Sequence, residues 1–196
     1  MSTAREEILA RVRAALGPSP QAPVVPRDYR AAGTLPRDGV VELFCERVAE
    51  YQATVTRVAP GELDAAIARA LDGAANVAST LGDDPTAGLT VAQLDALDAV
   101  VTGAALAIAD TGTIVLDSGP ESGPRALTLV PDHHVCVVRA HTIVPSVPDA
   151  VAALADAARE GRPITLVSGP SATSDIELDR VEGVHGPRRL DVIVSG

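Results

Sequence analysis

Hydroxyls, small residues and charge crowd into one stretch of this chain, between Ser168 and Arg188, more densely than anywhere else. Ser168, Gly169, Pro170, Ser171, Thr173 and Ser174 supply donors and a close backbone approach, and Asp175 and Glu177 follow them. These are the parts of an anion cradle, in which the free N–H groups of a helix start face the ligand. Ser174 and Glu177 have the spacing of a capping box, which predicts a helix beginning there. On residue types alone, capping and turning are the stronger reading of the same residues. Asp175 and Glu177 could act as general acid or base, or could favour the positive end of the helix dipole; the dipole role suits one and leaves the other open. Arg125 and Arg188 carry planar guanidinium groups that pair bidentately with a carboxylate or phosphate, although most surface arginines do nothing of the kind.

Strands must hold this stretch in place. The β-branched runs at 164–167 and 190–194 predict two buried strands, the first bracketed by Pro163 and Gly169. In α/β proteins ligands bind beyond the carboxyl ends of strands, and the polar loop is expected to leave such an end. Upstream, Thr3 and Glu6 form a capping-box pair, and Ile8, Leu9, Val12, Ala15 and Leu16 fall on one face, which predicts a helix over 4–16. Gly17 ends it, and the five prolines of 18–36 predict an extended arm that either reaches another subunit or wraps its own domain. Asp38 is placed to cap a second helix through Val40, Val41, Phe44, Val48 and Tyr51.

Helices are then expected at 61–72, 90–97 and 147–160, and strands at 53–58, 76–80, 99–102, 113–116, 127–130 and 135–138, with 131–134 as a turn. His134 and Cys136 would share a strand face if the last of these begins early. Such alternation marks a layered α/β domain over 37–196, preceded by the helix and arm of 1–36.

Composition closes several classes. The 196 residues, 46% hydrophobic, suit one full core. A net charge of -10 argues against nucleic acid or an anionic membrane as partner. All 16 basic residues are arginine, which removes Schiff-base chemistry and the P-loop lysine. Two cysteines, Cys45 and Cys136, cannot supply the four thiolates of an ordinary iron–sulfur cluster or a cysteine-rich zinc site. Only three aromatic residues, Tyr29, Phe44 and Tyr51, stand in the chain, too few for a stacking platform under a flavin. Low cysteine usage and the lack of an apolar leader or a run of ~20 apolar residues fit a cytoplasmic protein without a membrane span.

The strings SGPSATSDIE and GVHGP, with ADTGT at 109–113 and PDHHV at 131–135, resemble the lactate-utilisation protein C family, the LUD-domain proteins. The resemblance covers most of the chain, from the amino-terminal helix to the last strand, and four motifs in the right order make it specific. The resemblance implies a three-layer α/β/α, Rossmann-like sheet similar to the ribose-5-phosphate isomerase A, glucosamine-6-phosphate deaminase and CoA-transferase group. It also implies a part in an iron–sulfur system that oxidises L-lactate to pyruvate. No agreed catalytic residue comes with it. Within its motifs stand Asp110, Thr111, Gly112, Thr113, His134 and His185, together with Ser168, Gly169, Ser171, Thr173, Asp175 and Glu177; Asp110 replaces a frequent Glu, which keeps the carboxylate and shortens its reach. These residues and Arg125 are the expected anion-binding set. His134 and His185 could move protons or hold a metal with Cys136 or a carboxylate as third ligand, but H-H-x-C is not a recognised ligand pattern, and no metal is expected. The chain is therefore expected to carry no cluster, with iron–sulfur clusters on partner subunits. The alternative is an independent enzyme or sensor for a small phosphorylated or CoA-linked metabolite.

Overall fold

The computed structural model describes residues 3–51, 53–82, 88–169 and 186–196, without the side chains at 37 and 38. Helix α1 (Ala4–Leu16) carries the predicted capping box: Glu6 N–H donates to the Thr3 hydroxyl, and Thr3 N–H donates to the Glu6 carboxylate at 2.7 Å. No residue of α1 is buried; Ile8, Val12 and Leu16 face solvent. The arm meets the body of the protein further along, where Arg30 pairs with Asp110 at 3.2 Å and Gly33 N–H donates to Asp149 at 2.8 Å. Asp149→Ala is therefore expected to speed tryptic cleavage after Arg30 several-fold while leaving cleavage after the upstream Arg27 unchanged. Equal rates at both bonds in wild type and variant would show that the arm is not held there.

After the arm come α2 (Arg37–Glu50), β1 (Thr54–Val58), α3 (Leu63–Ala70), β2 (Val77–Ser79), α4 (Val91–Asp95), β3 (Ala99–Gly103), β4 (Leu106–Ile108) and β5 (Thr113–Leu116). They are followed by β6 (His133–Arg139), β7 (Ile143–Val144), α5 (Val147–Ala153), α6 (Ala155–Arg159), β8 (Thr165–Val167) and β9 (Arg189–Ser195). The central sheet is parallel throughout, in the order β1-β9-β6-β3-β2. A second sheet, β7-β4-β5-β8, pairs β4 and β5 as a hairpin and adds β8 antiparallel to β5.

Side-chain alternation along the strands builds the layers. Val135, Val137 and Ile193 turn to one face and pack under Ala66 and Ile67 of α3. Cys136, Val138, Val192 and Val194 turn to the other, where Val40, Phe44 and Val48 of α2 and Ala107, Ile114 and Leu116 of the second sheet meet them. Phe44 is wholly buried, a burial worth on the order of 2 kcal/mol. The outer face of the second sheet is covered by Ala150 of α5 and Leu154. The chain is thus an α/β protein whose parallel sheet carries helices on both faces.

Several expectations need correction. The run at 127–130 is not a strand: Arg125–Thr128 forms a 3-10 turn that seats Leu127 beside Leu94 of α4. The 131–134 turn ends two residues early, because β6 already begins at His133, paired with Arg189 of β9. The helix expected over 147–160 breaks into α5 and α6 at Leu154. Helix α2 starts at Arg37 behind Pro36, with no side-chain cap. Strand β8 lies outside the parallel sheet, so the polar stretch does not leave that sheet's carboxyl edge.

Candidate functional site

The β4–β5 hairpin and the end of β8 converge on the last turn of α2. Gly112 closes the hairpin at φ 61°, and a Cβ there would meet Arg47 Cβ at 2.7 Å and the Arg47 carbonyl carbon at 2.9 Å. Gly169 has φ 99°, and a Cβ there would meet Tyr51 Cβ at 2.7 Å. Both are left-handed positions where only glycine combines the backbone angle with the space. Tyr51 donates its hydroxyl to the Thr111 carbonyl at 2.7 Å. A hydroxyl chain then joins the turns: Thr111 Oγ1 to Thr113 Oγ1 at 2.7 Å, and Thr113 Oγ1 to Ser168 Oγ at 2.7 Å, across 55 residues of sequence. Thr113 is buried and Ser168 exposed, so the chain of hydroxyls ends at solvent. Because Tyr51 precedes β1 by three residues, the cluster sits at the amino edge of the parallel sheet.

The remaining expected residues divide. Asp110 holds the arm through Arg30, and its N–H donates to the Pro145 carbonyl at 3.1 Å. Arg125 donates to the Thr128 hydroxyl at 3.0 Å, and burial lowers its pKa. His134 is 2% exposed, with Nε2 at 2.8 Å from the Thr102 hydroxyl. Burial, then the charges of His133 and Arg125, push its pKa down to about 4, so it is a neutral core imidazole at neutral pH. It does share a face with Cys136, whose thiol burial pushes up to about 12 despite a Thr102 hydrogen bond. A thiol so held is a poor metal ligand, and no group of three or more His, Cys, Asp or Glu side chains gathers as for a metal ion among the described residues. Ser171, Thr173, Asp175, Glu177 and His185 lie outside the described residues, as do Pro170 and Ser174.

Sequence reasoning passed over two groups. Tyr51 was visible only as the end of a helical stripe, yet it anchors both turns; its standing as one of three aromatic residues was the available signal. His133 stands in the PDHHV string but was given no role there, and its Nε2 lies 2.6 Å from Asp191 Oδ2, which also takes Arg189 Nε at 2.8 Å. Burial alone would raise the Asp191 pKa; hydrogen bonds from His133 and Thr54 and the charge of Arg189 outweigh it and hold the carboxyl below its usual range. These contacts tie β1, β6 and β9 together at their amino ends.

A parallel five-stranded sheet with helices on both faces and a hairpin locked to α2 defines a layered α/β protein. The LUD domain model matches residues 90–195. A lactate utilization protein C from Deinococcus radiodurans is 46% identical over 98% of this chain and 96% of its own length. Another lactate utilization protein C, from Bacillus licheniformis, is 38% identical over 48% of this chain and 40% of its own. The crystal structure of a DUF162 family protein from Deinococcus radiodurans superposes with TM-score 0.71 at 43% identity, covering 83% of this chain and all of that one. The chain belongs to the LUD-domain family.

Proposed function

We propose that this protein serves lactate utilisation as the cluster-free subunit of an iron–sulfur assembly that oxidises L-lactate to pyruvate in the cytoplasm. The full-length relative named for lactate utilisation carries the reading. The cysteines are in keeping with it: Cys45 and Cys136 are both free, one half-buried on α2 and one in the core, and this reading assigns the clusters to partner subunits. Among the described residues no helix is long and apolar enough to cross a membrane. In this reading the hydroxyls of Thr111, Thr113 and Ser168 are the fixed wall of an anion site to which Arg125 and, from outside the described residues, Ser171, Thr173, Asp175, Glu177 and His185 are assigned.

Tagged protein from lactate-grown cells of the source strain is expected to co-purify with iron–sulfur polypeptides, and loss of the gene to abolish growth on L-lactate. A purified chain with its own iron–sulfur absorbance, or normal lactate growth without it, would contradict the proposal. Thr113→Val combined with Ser168→Ala is expected to cut lactate-dependent dye reduction by the assembly at least tenfold without dissociating it.

A further inference from the structure

Among the described residues, the carboxyl edge of the parallel sheet, opposite the hydroxyl cluster, is left partly uncovered. Three cavities of about 720, 520 and 520 Å³ lie along it, within the range of small-molecule sites. His141 lines the first and last of these, and Arg139 and Glu121 line both smaller ones, so they form one trough. It extends from the end of β1 to that of β2, ~19 Å from four inter-strand spacings, with the loop of Glu121 lying over the end of β3 between them. Ligands of open α/β sheets bind beyond this edge.

The loop that walls the trough is built rigidly. Asp117 accepts from Gly119 N–H at 3.0 Å and from the buried Ser122 hydroxyl at 3.3 Å, and it pairs with Arg162. Ser118 is held at φ 54°, the sole non-glycine residue with positive φ among those described. Backbone strain that the surroundings enforce in this way collects at functional sites. The Glu121 carbonyl takes Gly103 N–H at 2.8 Å and the Thr80 hydroxyl, which pins the loop over the end of β3. A Cβ on Gly103 would lie 2.9 Å from Glu121 Cβ, so no larger residue fits under it.

The charges facing the trough are unequal in availability. Asp117 is spent on Arg162 and the loop's own donors. Arg139 reaches Glu121 only at 3.4 Å, with the two side chains 44% and 50% exposed, a contact of little energy that an incoming anion can replace. His141 is exposed beside it, and Arg57 lies further along over a floor of Val58 and Val194. We infer that the trough binds an extended organic anion larger than lactate, its carboxylate or phosphate head between Arg139 and His141 and its body running over Val58 and Val194 toward Arg57. This inference stands apart from the lactate reading, which uses the other edge of the sheet.

Citrate and adenosine monophosphate, with L-lactate for comparison, serve as probes in thermal-shift and calorimetric titrations. At least one of the first two is expected to raise the melting temperature, and which of them does so distinguishes a carboxylate from a phosphate site. Arg139→Gln and His141→Gln should weaken that binding at least tenfold, and Arg57→Gln should weaken it several-fold. All three residues are exposed, so the unliganded variants should melt as wild type does, and any one of them suffices for the test. Ser168→Ala should bind as wild type. No shift with either probe, binding that survives in the folded arginine variants, or equal loss in Ser168→Ala would overturn the assignment.

Discussion

Gly112→Ala is expected to cost about 3 kcal/mol, whereas Gly17→Ala costs about 1 kcal/mol, although both glycines sit at positive φ. At Gly17 (φ 74°, ψ −179°) nothing lies within 4 Å of a new Cβ, so the substitution meets only the penalty of a glycine-favouring backbone, at its low end of about 1 kcal/mol because α1 buries no residue and its end can relax. At Gly112 the methyl would meet Arg47 Cβ and the backbone of 47 and 48 at 2.7–3.0 Å. That helix segment cannot retreat, because Val48 is buried in the main core. Against a total stability of about 5–15 kcal/mol, the difference is large. For a slope near 2 kcal/mol/M, urea denaturation should show the midpoint lowered by roughly 1.5 M in Gly112→Ala and roughly 0.5 M in Gly17→Ala, with the slope unchanged. The displaced turn should also separate Thr113 from Ser168 and so break the hydroxyl chain. Equal midpoints for the two variants would mean that the hairpin does not press on α2 and that the proposed wall is not preorganised.

Acid should unfold this protein earlier than carboxylate titration alone would allow. In the unfolded chain His134 titrates near 6.5, and in the folded protein near 4, because burial first and then the charges of His133 and Arg125 oppose its protonation. The unfolded state therefore binds the extra proton between those values. Stability from this residue is complete above pH 6.5, falls as pH drops through that window, and is spent by about pH 4. The span is worth about 3 kcal/mol. Asp191 acts in a separate window: its lowered pKa gives stability that is present above the ordinary carboxylate value and lost only in stronger acid. His134→Gln should be less stable than wild type at pH 7 and should show a flatter stability profile from pH 6.5 to 4. Parallel profiles would mean that His134 is protonated in the folded state and the Thr102 contact is not as drawn.

Local signals were enough for the elements that local chemistry dictates. The Thr3–Glu6 capping box, the stripe of Val40, Phe44 and Val48, and the β-branched runs of β5 and β9 each carry their instruction within a few residues. Elements whose reason lies elsewhere in the chain were not legible. Strand β6 starts on two histidines because Asp191, 58 residues away, and Thr102, 32 residues away, satisfy them inside the sheet. The run at 127–130 has the composition of a strand, but no neighbouring strand offers it a ladder, and Leu127 is buried beside α4 instead. Strands β4 and β7 are too short to announce themselves and exist through pairing, β4 with β5 and with β7, and β7 with β4.

The residues of the candidate site follow the same division. From sequence alone came the polar types at 110–113 and 168–169, the helix-and-arm preface, the α/β alternation and the family resemblance. Tertiary structure alone decided that the two turns share one hydroxyl chain, that His134 belongs to the core, and that β8 feeds the amino edge while cavities among the described residues line the other. The reason is physical: propensity and capping act over a few residues, whereas strand order, burial and the meeting of side chains depend on which distant surfaces come together to exclude water.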